Sequence, residues 1–146
     1  AGGLNFAKKN KIPFYILNLN NRLNVEIILQ KLKEKNISLI CLAGYMKILK
    51  KKFINNFGGQ IINIHPSLLP KYKGLNTFSR VLKFKEQITG CTIHYVNNKL
   101  DSGKKILQKK VFISRNDNEK SLRAKVQKIE YKAYAEAIIK MFRGNL

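Results

Sequence analysis

Residues 37–43, ISLICLA, form an apolar run broken only by Ser38 and free of the alternation that a half-wet strand shows. A run of this length marks a strand covered on both faces, the environment of a parallel sheet flanked by helices. The flanking segments agree. Residues 22–35 place Leu23, Ile27, Ile28 and Leu32 at helical spacing among polar residues, which predicts an amphipathic helix. Residues 48–57 read as a second helix closed by Gly58-Gly59, and residues 60–64 as the next strand. A short strand is expected at 14–17, after Pro13. Strand, helix, strand, helix, strand implies right-handed βαβ units, an α/β fold with a parallel sheet.

Beyond a loop at 66–74, Asn76 or Thr77 can cap a helix running to about Phe84. Residues 89–96 alternate as a strand, residues 105–113 pair with it across NNKLDSG, and a last helix covers 118–141. No repeat, linker or low-complexity segment interrupts residues 1–146, so one domain with a real core is expected. No run approaches the roughly 18 apolar residues of a membrane span. The opening AGGLNFAKKN has no apolar signal-peptide core and no initiator Met; it leads straight into a helical-looking stretch, so a fragment of a cytoplasmic protein is expected. Cys41 and Cys91 both sit in apolar runs and read as two buried thiols, without a disulfide or a metal site.

The net charge of +21 raises the question of nucleic acid. The chain holds 24 Lys against 5 Arg, with 18 Ile and 16 Asn. Lys, Ile and Asn share A/T-rich codons, so genome composition can account for the charge without selection for binding. The lysines are scattered, densest at Lys50-Lys51-Lys52, and no aromatic–basic alternation offers a stacking platform. A solvated surface is the expectation and nucleic acid is not an expected partner; a basic nucleic-acid-binding domain is the alternative from another class. A positive surface also steers anionic small molecules.

The stretch IINIHPSLLPKYKGLNT, residues 61–77, holds one of two histidines. Alternation along a strand puts Asn63 and His65 on one face. They stand at the carboxyl end of a strand expected to be central, where open α/β sheets place ligand crevices, and Pro66 stops the ladder at once. Asp101, in the turn LDSG, can raise the basicity of an imidazole and orient it. Asn, His and Asp together could hold a developing oxyanion and move one proton. The bland reading stands beside this one: a structural histidine, an asparagine capping a turn, and an aspartate that only shapes a turn. Ser67 lacks a nucleophile elbow, so direct transfer between two bound substrates fits better than a covalent intermediate. His65 and His94 lack metal-ligand companions, and His94 in CTIHYV, on one face with Thr92 and Val96, reads as a sheet residue, the lesser alternative being a support for the residues that react.

These residues resemble a known family. Asn63-Ile64-His65-Pro66-Ser67-Leu68-Leu69-Pro70 followed by Lys73-Gly74-Leu75-Asn76-Thr77 is similar to the signature of folate-dependent formyltransferases. Gly90–Val96 with Leu100-Asp101-Ser102-Gly103 resembles its second half, and Leu42–Leu49 the segment lining the folate pocket. The His-Pro-Ser version resembles the purine-synthesis branch, which formylates glycinamide ribonucleotide; deformylases usually show His-Ser-Phe. Another folate-dependent formyltransferase or a formyltetrahydrofolate deformylase is the alternative.

The resemblance implies a Rossmann-like fold with a parallel or mixed sheet, and formyl transfer from 10-formyltetrahydrofolate, a co-substrate, without a metal. It implies that Asn63 and protonated His65 stabilise the tetrahedral oxyanion, and that Asp101 keeps His65 protonated and relays the proton. Arg22, Leu42, Met46, Lys47, Ile48, Leu49, Asn63, Asn97, Asn98, Lys99, Leu100 and Asp101 would frame the folate. Met46, Pro66, Gln127 and Glu130 would contact the ribonucleotide. The implied partners are these small molecules, with no membrane, the chain being a monomer or homodimer. The pattern departs at Phe78, where many members have His, at Asn98, where an acid is usual, and at Tyr131, where His usually follows the Glu. The resemblance begins at about the family's second βα unit, and no counterpart of its first strand and Gly-Ser-Asn phosphate loop is expected in this sequence.

Overall fold

The computed structural model of the chain describes residues 2–16 and 22–143. It divides into two compact units, residues 1–36 and 37–146. In the first, helix α1 spans Gly2–Lys9 and helix α2 spans Arg22–Glu34. Among the described side chains of α2, Val25 and Ile28 are buried and Leu32 is partly so, whereas Ile27 is half exposed; Leu23 lies outside them. Residues 14–16 carry no strand, and Leu17 lies outside the described residues. Tyr15 instead holds Lys31 Nζ over its ring at 4.6 Å.

The second unit is a four-stranded sheet in the order β1-β2-β3-β4. Its elements are β1 Leu39–Leu42, α3 Lys51–Phe57, β2 Gln60–His65, α4 Thr77–Lys83, β3 Ile88–Tyr95, β4 Lys105–Phe112 and α5 Glu119–Arg143. β1 and β2 pair in parallel around α3, while β2–β3 and β3–β4 pair antiparallel. The sheet is therefore mixed, and β2 lies where the pairing changes sense. The Gly58-Gly59 stop is as expected: Gly58 closes α3 at φ +73, and a Cβ on Gly59 would stand 2.4 Å from the Ser38 carbonyl oxygen. Helix α3 opens at Lys51 rather than 48, because Lys50 is extended and no side chain caps the start; this frees residues 46–49 for the site below.

Helix α5 lies across β3 and β4 and touches α4. Ile62, Val81, Cys91, Ile93, Leu122 and Val126 form the core between them, with Ala133 and Ala137 admitting the helix closely. Each large apolar side chain so buried contributes roughly 1.5–3 kcal/mol. Two expectations need correction. The run ISLICLA is only partly covered, because β1 is an outer strand of the described sheet, with β2 its one strand neighbour there. Cys41 is consequently exposed; Cys91 is the buried thiol, and burial beside Glu130 pushes it up to about 12.

Candidate active site

Strand β2 delivers Asn63 and His65 two residues apart, and the ladder ends there. The chain turns tightly about Pro66, with the Ser67 N–H donating to the His65 carbonyl at 2.9 Å. Thr92 then ties the loop to the sheet: its hydroxyl donates to the Ser67 carbonyl at 2.6 Å and accepts from Leu69 N–H at 3.0 Å. Gln108 of β4 donates to both the Thr92 hydroxyl and the Leu69 carbonyl, at 2.8 and 2.9 Å. The Ser67 hydroxyl is buried and donates to the Lys71 carbonyl at 2.7 Å, which leaves it no role as a nucleophile.

Both nitrogens of the His65 ring face acceptors. Nε2–H donates to the Tyr72 carbonyl at 2.8 Å, and Nδ1 lies 3.3 Å from Asp101 Oδ2. A carbonyl and a carboxylate can only accept, so the doubly protonated ring satisfies both. Asp101 is nine-tenths buried and adopts φ +43, a left-handed conformation that Asp tolerates better than most residues. The same Oδ2 accepts the Gly74 N–H at 2.8 Å.

Register places His94 of β3 directly opposite Asn63. His94 Nδ1–H donates to the Tyr95 carbonyl at 2.8 Å, leaving Nε2 to accept from Asn63 Nδ2 at 3.5 Å. Burial lowers the His94 pKa from its ordinary 6.5, with His65 and Lys73 acting the same way, against the Tyr95 carbonyl and Asp101. A neutral His94 thus fixes which way the Asn63 amide points.

These groups open onto a cavity of about 610 Å³, within the range of roughly 300–1,000 Å³ typical of small-molecule sites. One wall comes from the β1–α3 connection, with Leu42, Met46, Lys47, Ile48 and Leu49, and another from the β3–β4 turn, with Asn97, Asn98, Lys99, Leu100 and Asp101. Pro66, Gln127 and Glu130 also face it, the last two one turn apart on α5. Burial raises the Glu130 carboxyl, opposed by Arg123. Arg22, also named from the sequence, opens α2, and its side chain lies outside the described residues. Phe78 is buried at the cavity with the Arg123 guanidinium 4.9 Å above its ring, whereas Tyr131 is exposed and does not line it. Asn98 reaches Asn55 of α3 at 3.4 Å. Among the described residues no group of three or more His, Cys, Asp or Glu could hold a metal ion, and no helix is long and apolar enough to cross a membrane.

Residues 1–138 match the model of a family described as formyl transferase. The chain belongs to that family. It is 43% identical to a phosphoribosylglycinamide formyltransferase of Haemophilus influenzae, covering 100% of this chain and 71% of the relative. It is 36% identical to the human trifunctional purine biosynthetic protein adenosine-3, but spans 15% of that protein. Among solved structures, a phosphoribosylglycinamide formyltransferase from Anaplasma phagocytophilum superposes with a TM-score of 0.89 at 39% identity, covering 97% of this chain and 70% of that one. The mixed sheet with flanking helices is the formyl transferase fold of these neighbours.

Two groups at this cavity have no assigned part in the reaction from the sequence. His94 was legible chiefly as a sheet residue, although alternation already set it on the face shared with Thr92. The Tyr72 carbonyl on His65 left no sign at all, because a backbone acceptor is common to every residue type.

Proposed function

We propose that the chain carries the formyl-transfer centre of a phosphoribosylglycinamide formyltransferase, moving a formyl group from 10-formyltetrahydrofolate to the amine of glycinamide ribonucleotide in purine synthesis. The observation that supports this most is the Asn63–His65–Asp101 cluster, with His65 Nδ1 3.3 Å from Asp101, opening on a cavity of small-molecule size.

The reaction needs an oxygen to gain charge and one proton to change places. As the amine attacks the formyl carbon, the formyl oxygen becomes an oxyanion. Asn63 gives one amide N–H to His94 and has a second for that oxygen, while the His65 imidazolium supplies positive charge beside it. Asp101 offsets the cost of keeping that charge buried. Collapse of the intermediate breaks the bond from carbon to the folate nitrogen. The proton lost by the amine ends on that nitrogen, with Asp101 as the relay while His65 stays protonated.

The folate fits the walls described. Residues 46–49 and 97–101 line the cavity beside Leu42, and their backbone amides and carbonyls would meet the edge of a flat, polar-edged ring while Leu42, Leu49 and Leu100 cover its faces. Gln127 and Glu130 are suited to the ribose hydroxyls, and Met46 and Pro66 to the glycinamide end. The same reading gives a cytoplasmic enzyme whose partners are its two small-molecule substrates.

The test is an acceptor panel with 10-formyltetrahydrofolate, following release of tetrahydrofolate. Release that depends on glycinamide ribonucleotide supports the proposal. Release at equal rate with water as sole acceptor would replace it with a deformylase.

A further inference from the structure

Arg80 of α4 does not line the cavity, yet the segment it holds contacts both members of the His65–Asp101 pair. His65 Nε2–H donates to the Tyr72 carbonyl at 2.8 Å, and the Gly74 N–H donates to Asp101 Oδ2 at 2.8 Å. Residues 72 and 74 thus present one acceptor to the imidazole and one donor to the carboxylate. The backbone at Tyr72 is not relaxed: its φ is +56, a conformation that a bulky non-glycine residue keeps only when its surroundings enforce it.

Arg80 supplies much of that enforcement. Its Nη1 donates to the Lys73 carbonyl at 2.7 Å and to the Leu75 carbonyl at 3.4 Å, and its guanidinium carbon lies 5.3 Å from the centre of the Tyr72 ring. From the other side the Tyr72 hydroxyl donates to Glu86 Oε1 at 2.8 Å, an oxygen also reached by Lys71 Nζ at 2.8 Å. The ring of Tyr72 is therefore gripped at its face and at its tip, on the residue whose carbonyl points at His65.

We infer that Arg80 is a positioning residue: it locks residues 72–75 so that the Tyr72 carbonyl and the Gly74 amide hold the His65 ring and the Asp101 carboxylate in register. The geometry asks for arginine. A lysine carries one compact charge on a flexible stem, whereas the rigid guanidinium keeps Nη1 on the two carbonyls while its delocalised charge stands over the aromatic ring. The catalytic consequence rests on the formyl-transfer reading above; the effect on the histidine ring does not.

The test compares the parent chain with Arg80→Ala and Arg80→Lys. In the parent, the His65 Nε2–H gives a slowly exchanging imidazole proton in ¹H–¹⁵N spectra. In Arg80→Ala its exchange quickens by about tenfold or more, and kcat with 10-formyltetrahydrofolate and glycinamide ribonucleotide falls about 10- to 100-fold, the range expected when a reacting group is misplaced by a fraction of an ångström to one ångström. KM for both substrates changes by less than about twofold, since Arg80 touches neither. Arg80→Lys falls between, and serves if the alanine variant does not fold. An unchanged Nε2–H signal overturns the inference, whatever happens to kcat or to the melting temperature. So does an unchanged kcat in a chain with the transferase activity. If the signal changes but no chain transfers formyl to glycinamide ribonucleotide, the functional reading fails and the positioning role stands.

Discussion

Asp101 divides its two carboxylate oxygens between two histidines: Oδ2 lies 3.3 Å from His65 Nδ1, and Oδ1 lies 3.7 Å from His94 Nε2. The rings differ in what their other nitrogen meets. His65 Nε2–H faces a carbonyl seven residues on, in a loop; His94 Nδ1–H faces the carbonyl of the next residue in its own strand. The first ring can carry a charge that Asp101 balances, whereas burial keeps the second neutral, where it orients Asn63.

Replacing Asp101 by Asn tests the charge without the shape, because Asn also accepts the left-handed backbone at φ +43. Loss of the proton relay predicts a fall in kcat of about 10²- to 10⁴-fold, with a melting temperature close to the parent's. Steady-state kinetics at constant fold, checked by circular dichroism, decides this; a variant with half the parent rate would remove Asp101 from the chemistry.

His94 predicts how stability responds to acid. Its folded pKa lies below its ordinary value of 6.5, so the unfolded chain binds the proton first. Stability from neutral His94 is complete above about 6.5 and is lost as pH falls from there toward the folded value, by up to about 1.4 kcal/mol per pH unit. Urea titrations across this window should show a shallower slope in His94→Gln than in the parent. Equal slopes would mean that this ring is not held neutral by burial.

Thr92 is fully buried and its hydroxyl serves the Ser67 carbonyl, the Leu69 amide and the Gln108 side chain. Thr92→Val keeps the volume but leaves these groups without that partner. A loss of about 2–4 kcal/mol is expected, from the cost of about 1–3 kcal/mol for each buried polar group left unpaired. Chemical denaturation measures it, and a cost below about 0.5 kcal/mol would show that water or another side chain takes over.

Gly103 closes the turn that carries Asp101. A Cβ there would stand 1.7 Å from the Tyr95 carbonyl oxygen, which belongs to the backbone and has no flexible end to move. Gly103→Ala should therefore displace the turn, lowering both the melting temperature and kcat. Full activity with a parent-like melt would mean that the turn relaxes without carrying Asp101 away.

The element order was legible because periodicity is local: residues 60–64 and 89–96 read as strands and 118–141 as a helix, each within about two residues of the observed span. Alternation likewise put Asn63 and His65 on one side of one strand, and their spacing needed no knowledge of the rest of the chain. What tertiary structure decided was every relation between distant segments. The antiparallel register that sets His94 against Asn63, the loop that turns the Tyr72 carbonyl onto His65, and the meeting of residues 46–49 with 97–101 around one cavity join residues that are not neighbours in sequence. Cys41 shows the same limit from the other direction. An apolar run states what a strand prefers to touch, but whether both faces are covered depends on the elements beside it, and β1 has one strand neighbour among those described. Sequence by itself determined local conformation and the chemistry available at each position; the distances that let Asn63, His65, His94 and Asp101 act on one another came from packing.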